Sequence, residues 1–233
     1  MNAFHIPAVQ GDEVAAEPLL QMNAFAIDII ALDETFIIAS KPSGLLSVPG
    51  RGADKADCLS ARVQAQFPDA LTVHRLDMET SGLMLFARGI GAQRALSRAF
   101  ETRQVHKEYV AVVDGLIEND SGSVDLPLIC DWPNRPKQMV DHAIGKPSLT
   151  HYEVLSRDKK NHTTRVLLKP ITGRSHQLRV HMMALGHAML GDALYASDYV
   201  KAKSSRLLLH AQRLQFPHPV STTLMDIKSA PPF

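Results

Sequence analysis

Hydrophobic residues in this chain fall mostly into short runs broken by polar turns, with helical spacing in only a few places. Ile27-Asp28-Ile29-Ile30 and Phe36-Ile37-Ile38, split by the polar Asp33-Glu34 turn, predict a β-hairpin. Lys41-Pro42-Ser43-Gly44 and Pro49-Gly50 punctuate a loop, and Leu59 to Phe67 reads as a short helix. A strand is expected around Thr72 to Arg75, then a polar loop from Asp77 to Ser81, then a second strand over Gly82-Leu83-Met84-Leu85-Phe86-Ala87. Ala92, Ala95, Leu96, Ala99 and Phe100 recur at i, i+3, i+4, i+7 and i+8, which predicts a helix with Arg94, Arg98 and Glu101 on its other faces. Further strands are expected at Tyr109 to Val113, Tyr152 to Leu155 and Arg165 to Leu168, while the stretch from Gly122 to Pro147 is rich in Pro and Gly. A second helix should open at Arg174 or Ser175, carry Leu178, Met182 and Leu185 as an apolar stripe, and close on Gly186 as a left-handed cap. Two final strands, Leu207 to Leu214 and Thr222 to Ile227, flank a Pro217-His218-Pro219 turn. Strands dominate and no βαβαβ rhythm recurs, so the expected fold is α+β on a mainly antiparallel mixed sheet flanked by helices and loops.

Length and composition add little to that picture, though they exclude several classes. At 233 residues with 45% hydrophobic content, the chain can build a real core. Residues 1–24 lack sustained periodicity and are expected to form an acidic, poorly ordered tail, too short for an appended RNA-binding module such as an S4 domain. The catalytic domain is expected over 25–233. The start of the chain has neither the basic region nor the apolar stretch of a signal peptide, and no run of eighteen apolar residues occurs, so a cytoplasmic protein without a membrane partner is expected. Cys58 and Cys130 stand far apart outside any CxxC spacing and suggest neither a disulfide framework nor a thiolate zinc site. Net charge is +1, but residues 1–35 hold six acids and no Lys or Arg, which leaves +7 on the remainder. That balance permits a cationic cleft without requiring one.

Candidate chemistry concentrates in His74-Arg75-Leu76-Asp77, followed by Met78-Glu79-Thr80-Ser81-Gly82, which sets a histidine, a guanidinium and a carboxylate in one tight loop between strands. On its own such a loop is more often a turn whose aspartate caps backbone N–H groups. The pattern HRLDxxTSG, however, closely resembles the hallmark of the RluA family of pseudouridine synthases. Lys41-Pro42-Ser43-Gly44-Leu45, Lys107-Glu108-Tyr109 and the run from Gly173 to His181 resemble further stretches of that family, in the same order. Leu207-Leu208-Leu209-His210-Ala211 extends the likeness, and the segment from Asp131 to Gln138 resembles the branch of the family that acts on both large-subunit (23S) ribosomal RNA and a tRNA anticodon stem-loop.

The resemblance implies an enzyme that isomerises uridine to pseudouridine in structured RNA. The N1–C1′ bond must break, the uracil must turn while captive, C5 must bond to C1′ and the C5 proton must leave. No electrons, phosphate or water are consumed, so no cofactor is expected, and the chain holds no GxxxxGK[ST], dinucleotide fingerprint or HExxH. Asp77 is the implied catalytic carboxylate, as nucleophile or as proton acceptor. Arg179 is the arginine implied to pair with it, and Tyr109 the ring that faces the uracil. Without the motif, Arg179 would be a solvated helix arginine and Tyr109 a packed strand residue. A stacked base must be flipped out to be reached, and Arg75 is the implied filler of the vacated place. Arg174, Lys107, Arg135, Lys137, His74, Thr80 and His176 complete the expected RNA contacts. His176, His181 and His187, spaced by five and then six residues, do not share one helical face, so no metal site is expected. The chain is expected to act as a monomer. A non-catalytic RNA-binding or remodelling protein using the same cleft is the alternative, disfavoured because a binder has no need of a buried carboxylate facing anionic RNA. A nuclease would want carboxylate clusters for paired metals, which are absent.

Overall fold

The computed structural model describes residues 27–52 and 55–233, so the tail expected over residues 1–24 lies outside the described residues. Asp33 nucleates the first hairpin: its carboxylate accepts from the backbone N–H of Thr35 and Phe36, closing the turn between β1 (Asp28–Leu32) and β2 (Phe36–Lys41). After α1 (Leu59–Gln66) and the short β3 (Ala70–Thr72) comes β4 (Ser81–Arg88), a strand with seven consecutive buried residues. An unbroken apolar run of this kind is what a strand covered on both faces requires. Leu83 and Leu85 lie under α2 (Gly89–Glu101) with its Ala92, Leu96 and Ala99, whereas Met84 and Phe86 lie under Leu59 and Val63 of α1.

The remaining strands are β5 (His106–Asp114), β6 (Ser121–Asp125), β7 (Leu128–Cys130), β8 (Gln138–Val140), β9 (Leu149–Asp158), β10 (Thr163–Pro170), β11 (Leu209–Pro217) and β12 (Leu224–Lys228). Among the described residues ten strands form one sheet in the order β1-β2-β4-β11-β5-β10-β9-β6, with β3 also on β4 and β12 also on β11. Every pair in it is antiparallel except β4 with β11, so the expected α+β architecture on a mainly antiparallel mixed sheet holds. At the parallel contact Gly82 faces Ala211 with φ +113°, and a Cβ there would sit 2.3 Å from the Ala211 carbonyl oxygen. Glycine is therefore the only residue that lets the two strands meet. β7 and β8 make a separate hairpin, and α3 (Gln177–Ala184) and α4 (Asp198–Ala202) complete the helices. Leu178 and Met182 of α3 join a third core with Ala111, Val113, Val166 and Leu168 of β5 and β10.

Three boundaries depart from the sequence expectation. β3 ends at Thr72, before His74 and Arg75, because the His74 ring takes over the ladder: its Nε2 accepts the N–H of Leu85 at 2.9 Å. α3 begins at Gln177 instead of Arg174 or Ser175, since His176 adopts a left-handed conformation and the Gln177 side chain accepts from Thr172 Oγ1 and the N–H of Arg174. The Pro- and Gly-rich stretch holds β6, β7 and β8, strands of three to five residues that are too short to show a period. The helix end is as expected. Gly186, at φ +89°, donates to the Met183 carbonyl and His187 to that of Met182, the paired bonds of a glycine-closed helix. Among the described residues no helix is long and apolar enough to cross a membrane.

Candidate active site

The loop from Val73 to Thr80 is short on internal bonds and is held from outside by the segment Lys41–Ser47. Lys41 is almost fully buried, and its Nζ donates to the carbonyls of Pro42, Leu45 and Met78 at 2.9, 2.6 and 2.7 Å. Burial pulls its ammonium down to about 8 against the opposing influence of Glu79 and Asp77. Ser47 Oγ donates to the Leu76 carbonyl and accepts its N–H, Ser43 Oγ donates to the Glu79 carbonyl, and the N–H of Gly44 donates to Met78. The N–H of Thr80, a buried residue, closes the loop on the Asp77 carbonyl at 3.2 Å. Asp77 is thus a half-buried carboxylate on a backbone clamped on both sides of it.

Facing the loop is the first turn of α3. Arg179 is 3% exposed, and its Nε and Nη2 donate to the two oxygens of Asp192 at 2.8 and 2.6 Å. That fork-to-fork geometry is the strongest form of the pair. The third nitrogen, Nη1, is left pointing at Asp77 at 3.7 Å. Asp192 also accepts the N–H of Leu194 and Tyr195, which brings the Tyr195 ring under the guanidinium, 5.0 Å from its centre. The Tyr195 oxygen accepts the N–H of Gln138 at 2.8 Å and lies 2.6 Å from His176 Nδ1. Burial pushes the Tyr195 phenol up to about 12, so its hydroxyl keeps its hydrogen beside Nδ1. Burial also lowers His176, whose Nε2 stands 3.9 Å from Asp77.

Between these walls is a cavity of about 290 Å³, the scale of one nucleoside. Tyr109 of β5 lines it, and burial together with the Asp77 charge raises its hydroxyl well above the ordinary phenol range. Phe100, Pro170, Leu178 and Leu209 supply apolar surface. His74 is stacked on Phe100 at 4.8 Å and burial takes its imidazole down to about 3, helped by Lys107, so it is a neutral acceptor. Lys107 and the exposed Arg75 and Arg174 bring positive charge to the same opening. Arg75 has no hydrogen bond or ion pair among the described residues.

Nine of the eleven residues singled out in the sequence therefore border one pocket: His74, Arg75, Asp77, Thr80, Lys107, Tyr109, Arg174, His176 and Arg179. Arg135 and Lys137 stand apart, on the turn between β7 and β8. His176, His181 and His187 each engage a different neighbour, Tyr195, Thr150 with Leu126, and Asp114 respectively. Sequence reasoning missed Asp192, Tyr195, Lys41 and Ser47. An aspartate after a glycine reads as a turn cap, which Asp192 also is, and nothing local marks it as the holder of an arginine thirteen residues away.

A cavity with a fixed carboxylate, a guanidinium behind it and cations at its mouth fits enzymes that handle an extruded nucleotide. The chain belongs to the RNA pseudouridylate synthase family, whose model matches residues 35–184. It is 52% identical over 200 residues to the dual-specificity RNA pseudouridine synthase RluA of Yersinia pestis, covering 86% of this chain and 97% of that protein. With the protein of the same name from Escherichia coli K12 it shares 52% identity over 205 residues, 88% and 93% of the two chains. Human RNA pseudouridylate synthase domain containing 1 has the same fold, with a TM-score of 0.76 at 28% identity over 94% of this chain and 87% of that one. The protein is accordingly an RNA-modifying isomerase, and the catalytic reading prevails over that of an inert RNA binder.

Proposed function

We propose that this isomerase converts uridine to pseudouridine in both large-subunit (23S) ribosomal RNA and a tRNA anticodon stem-loop, with Asp77 as the catalytic carboxylate acting on the ribose. The observation that carries the reading is Asp77 itself, held on a clamped loop 3.7 Å from a guanidinium that Asp192 already immobilises. A cation at that distance offsets the approach of the carboxylate to polyanionic RNA without tying it up in a bidentate pair. Tyr109 stacks on the uracil or passes it a proton, which its retained hydroxyl hydrogen permits. Arg75, free of other partners among the described residues, fills the place the target base leaves. Lys107, Arg174 and His176 contact the nucleotide and its phosphates, with Arg135 and Lys137 further out. His74 and Thr80 act one step back, by fixing the loop that carries Asp77 and Arg75.

The dual choice of RNA is supported by the likeness to proteins named as dual-specificity enzymes. Action as a monomer in the cytoplasm belongs to the same proposed reading. The catalytic domain is taken to run over 25–233. The test is to incubate each RNA separately with the parent and with Asp77→Asn and to map pseudouridine by chemical probing. The parent should modify both RNAs and the variant neither, while the variant's RNA affinity stays equal or rises slightly as a negative charge is lost. Substantial turnover by Asp77→Asn would remove the residue from its role, and modification of one RNA alone would end the dual reading.

A further inference from the structure

The turn between β7 and β8 carries features that the uridine pocket does not use. Trp132, the chain's sole tryptophan, opens a 3-10 turn over Trp132–Asn134 and is 64% exposed. A large ring left in water forgoes the burial that normally holds tryptophan, and this one keeps a face open at a fixed place. The turn is rigid: Asp131 N–H donates to Lys137, Lys137 N–H to Asn134, and the Asn134 amide to both oxygens of Asp131. The Arg135 guanidinium lies 4.7 Å from the centre of the Trp132 ring.

Two links tie this turn to the pocket. Gln138, the first residue of β8, donates its N–H to Tyr195, which bonds His176 at the pocket wall. From the rim, Arg174 donates to the Pro147 carbonyl, next to Lys146, whose backbone pairs with Leu128 of β7. These bonds join the pocket wall and rim to the segment that carries Trp132, Arg135 and Lys137. A planar aromatic beside a planar cation matches a flat, electron-rich ring on a phosphate backbone.

We propose that Trp132 and Arg135 form a stacking platform for a second, unpaired nucleobase of the RNA, next to the uridine that enters the pocket. The proposal rests on the reading of loop-containing RNAs as substrates and extends it. Because every base has a π face, such a platform accepts loops of different sequence, which is what one enzyme acting on two unrelated RNAs needs.

The lone tryptophan makes the test direct. Titrating the parent protein with an anticodon stem-loop RNA should quench its tryptophan fluorescence saturably, and the same RNA in fully duplex form should quench far less. Trp132→Ala should raise KM roughly tenfold, with the loss falling in KM more than in kcat, and Trp132→Phe should recover most of it. Tyr199→Ala serves as control, since Tyr199 is 71% exposed beside Lys203, well outside the β7–β8 turn; its KM should match the parent. An unquenched tryptophan at RNA concentrations that saturate turnover, or a KM within twofold of the parent for Trp132→Ala, overturns the platform. So does quenching that appears on concentrating the protein without RNA, which would assign the ring to a contact between copies. If the parent modified neither RNA, the substrate reading would fail, and the fluorescence titration would still decide the platform.

Discussion

Arg179 gives its bidentate pair to Asp192 and only a 3.7 Å approach to Asp77, and the order is a functional one. A carboxylate locked into a fork has both oxygens occupied, whereas Asp77 keeps its oxygens open to the cavity, as the proposed action on the sugar requires. The sequence reading chose Arg179 as the partner of Asp77 and did not anticipate the bidentate pair with Asp192, since nothing in a linear pattern ranks two aspartates against one guanidinium. Asp192→Asn should leave a buried donor facing a donor, lowering stability by about 3 kcal/mol and, through a displaced guanidinium, kcat by roughly a hundredfold. Single-turnover rates together with thermal melts would check both, and a melt shift with unchanged kcat would make Asp192 a structural acid alone. Two residues before Asp77, Arg75→Ala removes a cation and a stacking plane, so RNA affinity should fall and base extrusion slow. A fluorescent base analogue next to the target would report it.

Elements explain why the motif stretches sit where they do in the chain. Lys41-Pro42-Ser43-Gly44-Leu45 makes no contact with the cavity; it is the clamp on the Asp77 loop, joined to it through Lys41, Ser43, Gly44 and, beyond the stretch, Ser47. Lys41→Met removes a buried donor shared by three carbonyls and should cost about 3 kcal/mol, read as a lower urea midpoint, with a loss of kcat as the loop loosens. Long elements were legible because their patterns run for several periods: α2 from its apolar stripe, and β4 from its unbroken run. The three-residue strands β7 and β8 and the five-residue α4 were not, because tertiary contacts and local caps decide so few residues. The site residues Asp77, Tyr109 and Arg179 were legible only through the family motif, since each alone fits a turn, a strand interior or a helix surface equally well.

For the molecule as a whole, buried imidazoles set an acid limit, and among the described residues burial lowers His74, His176, His181 and His210. Burial brings His74 down to about 3 and His210 to about 4, both below the unfolded value near 6.5. Between those values the unfolded chain binds protons that the folded chain refuses, so stability is full above about 6.5 and falls as pH drops toward 4. Each histidine can contribute up to about 1.4 kcal/mol per pH unit in that window. Urea midpoints at pH 7, 5.5 and 4.5 should fall accordingly, and a flat profile would contradict the neutral assignment of His74. β11 lies in mid-sheet, between β4 and β5, yet nearly a hundred residues of chain separate it from β5. On the ribosome, then, β4 and β5 emerge early and wait with bare edges until residues 209–217 arrive to zip them together. The Asp77 loop gains its rear support at Gly82 and Ala211 only at that moment, so until then the facing edges of β4 and β5 stay open to misassociation.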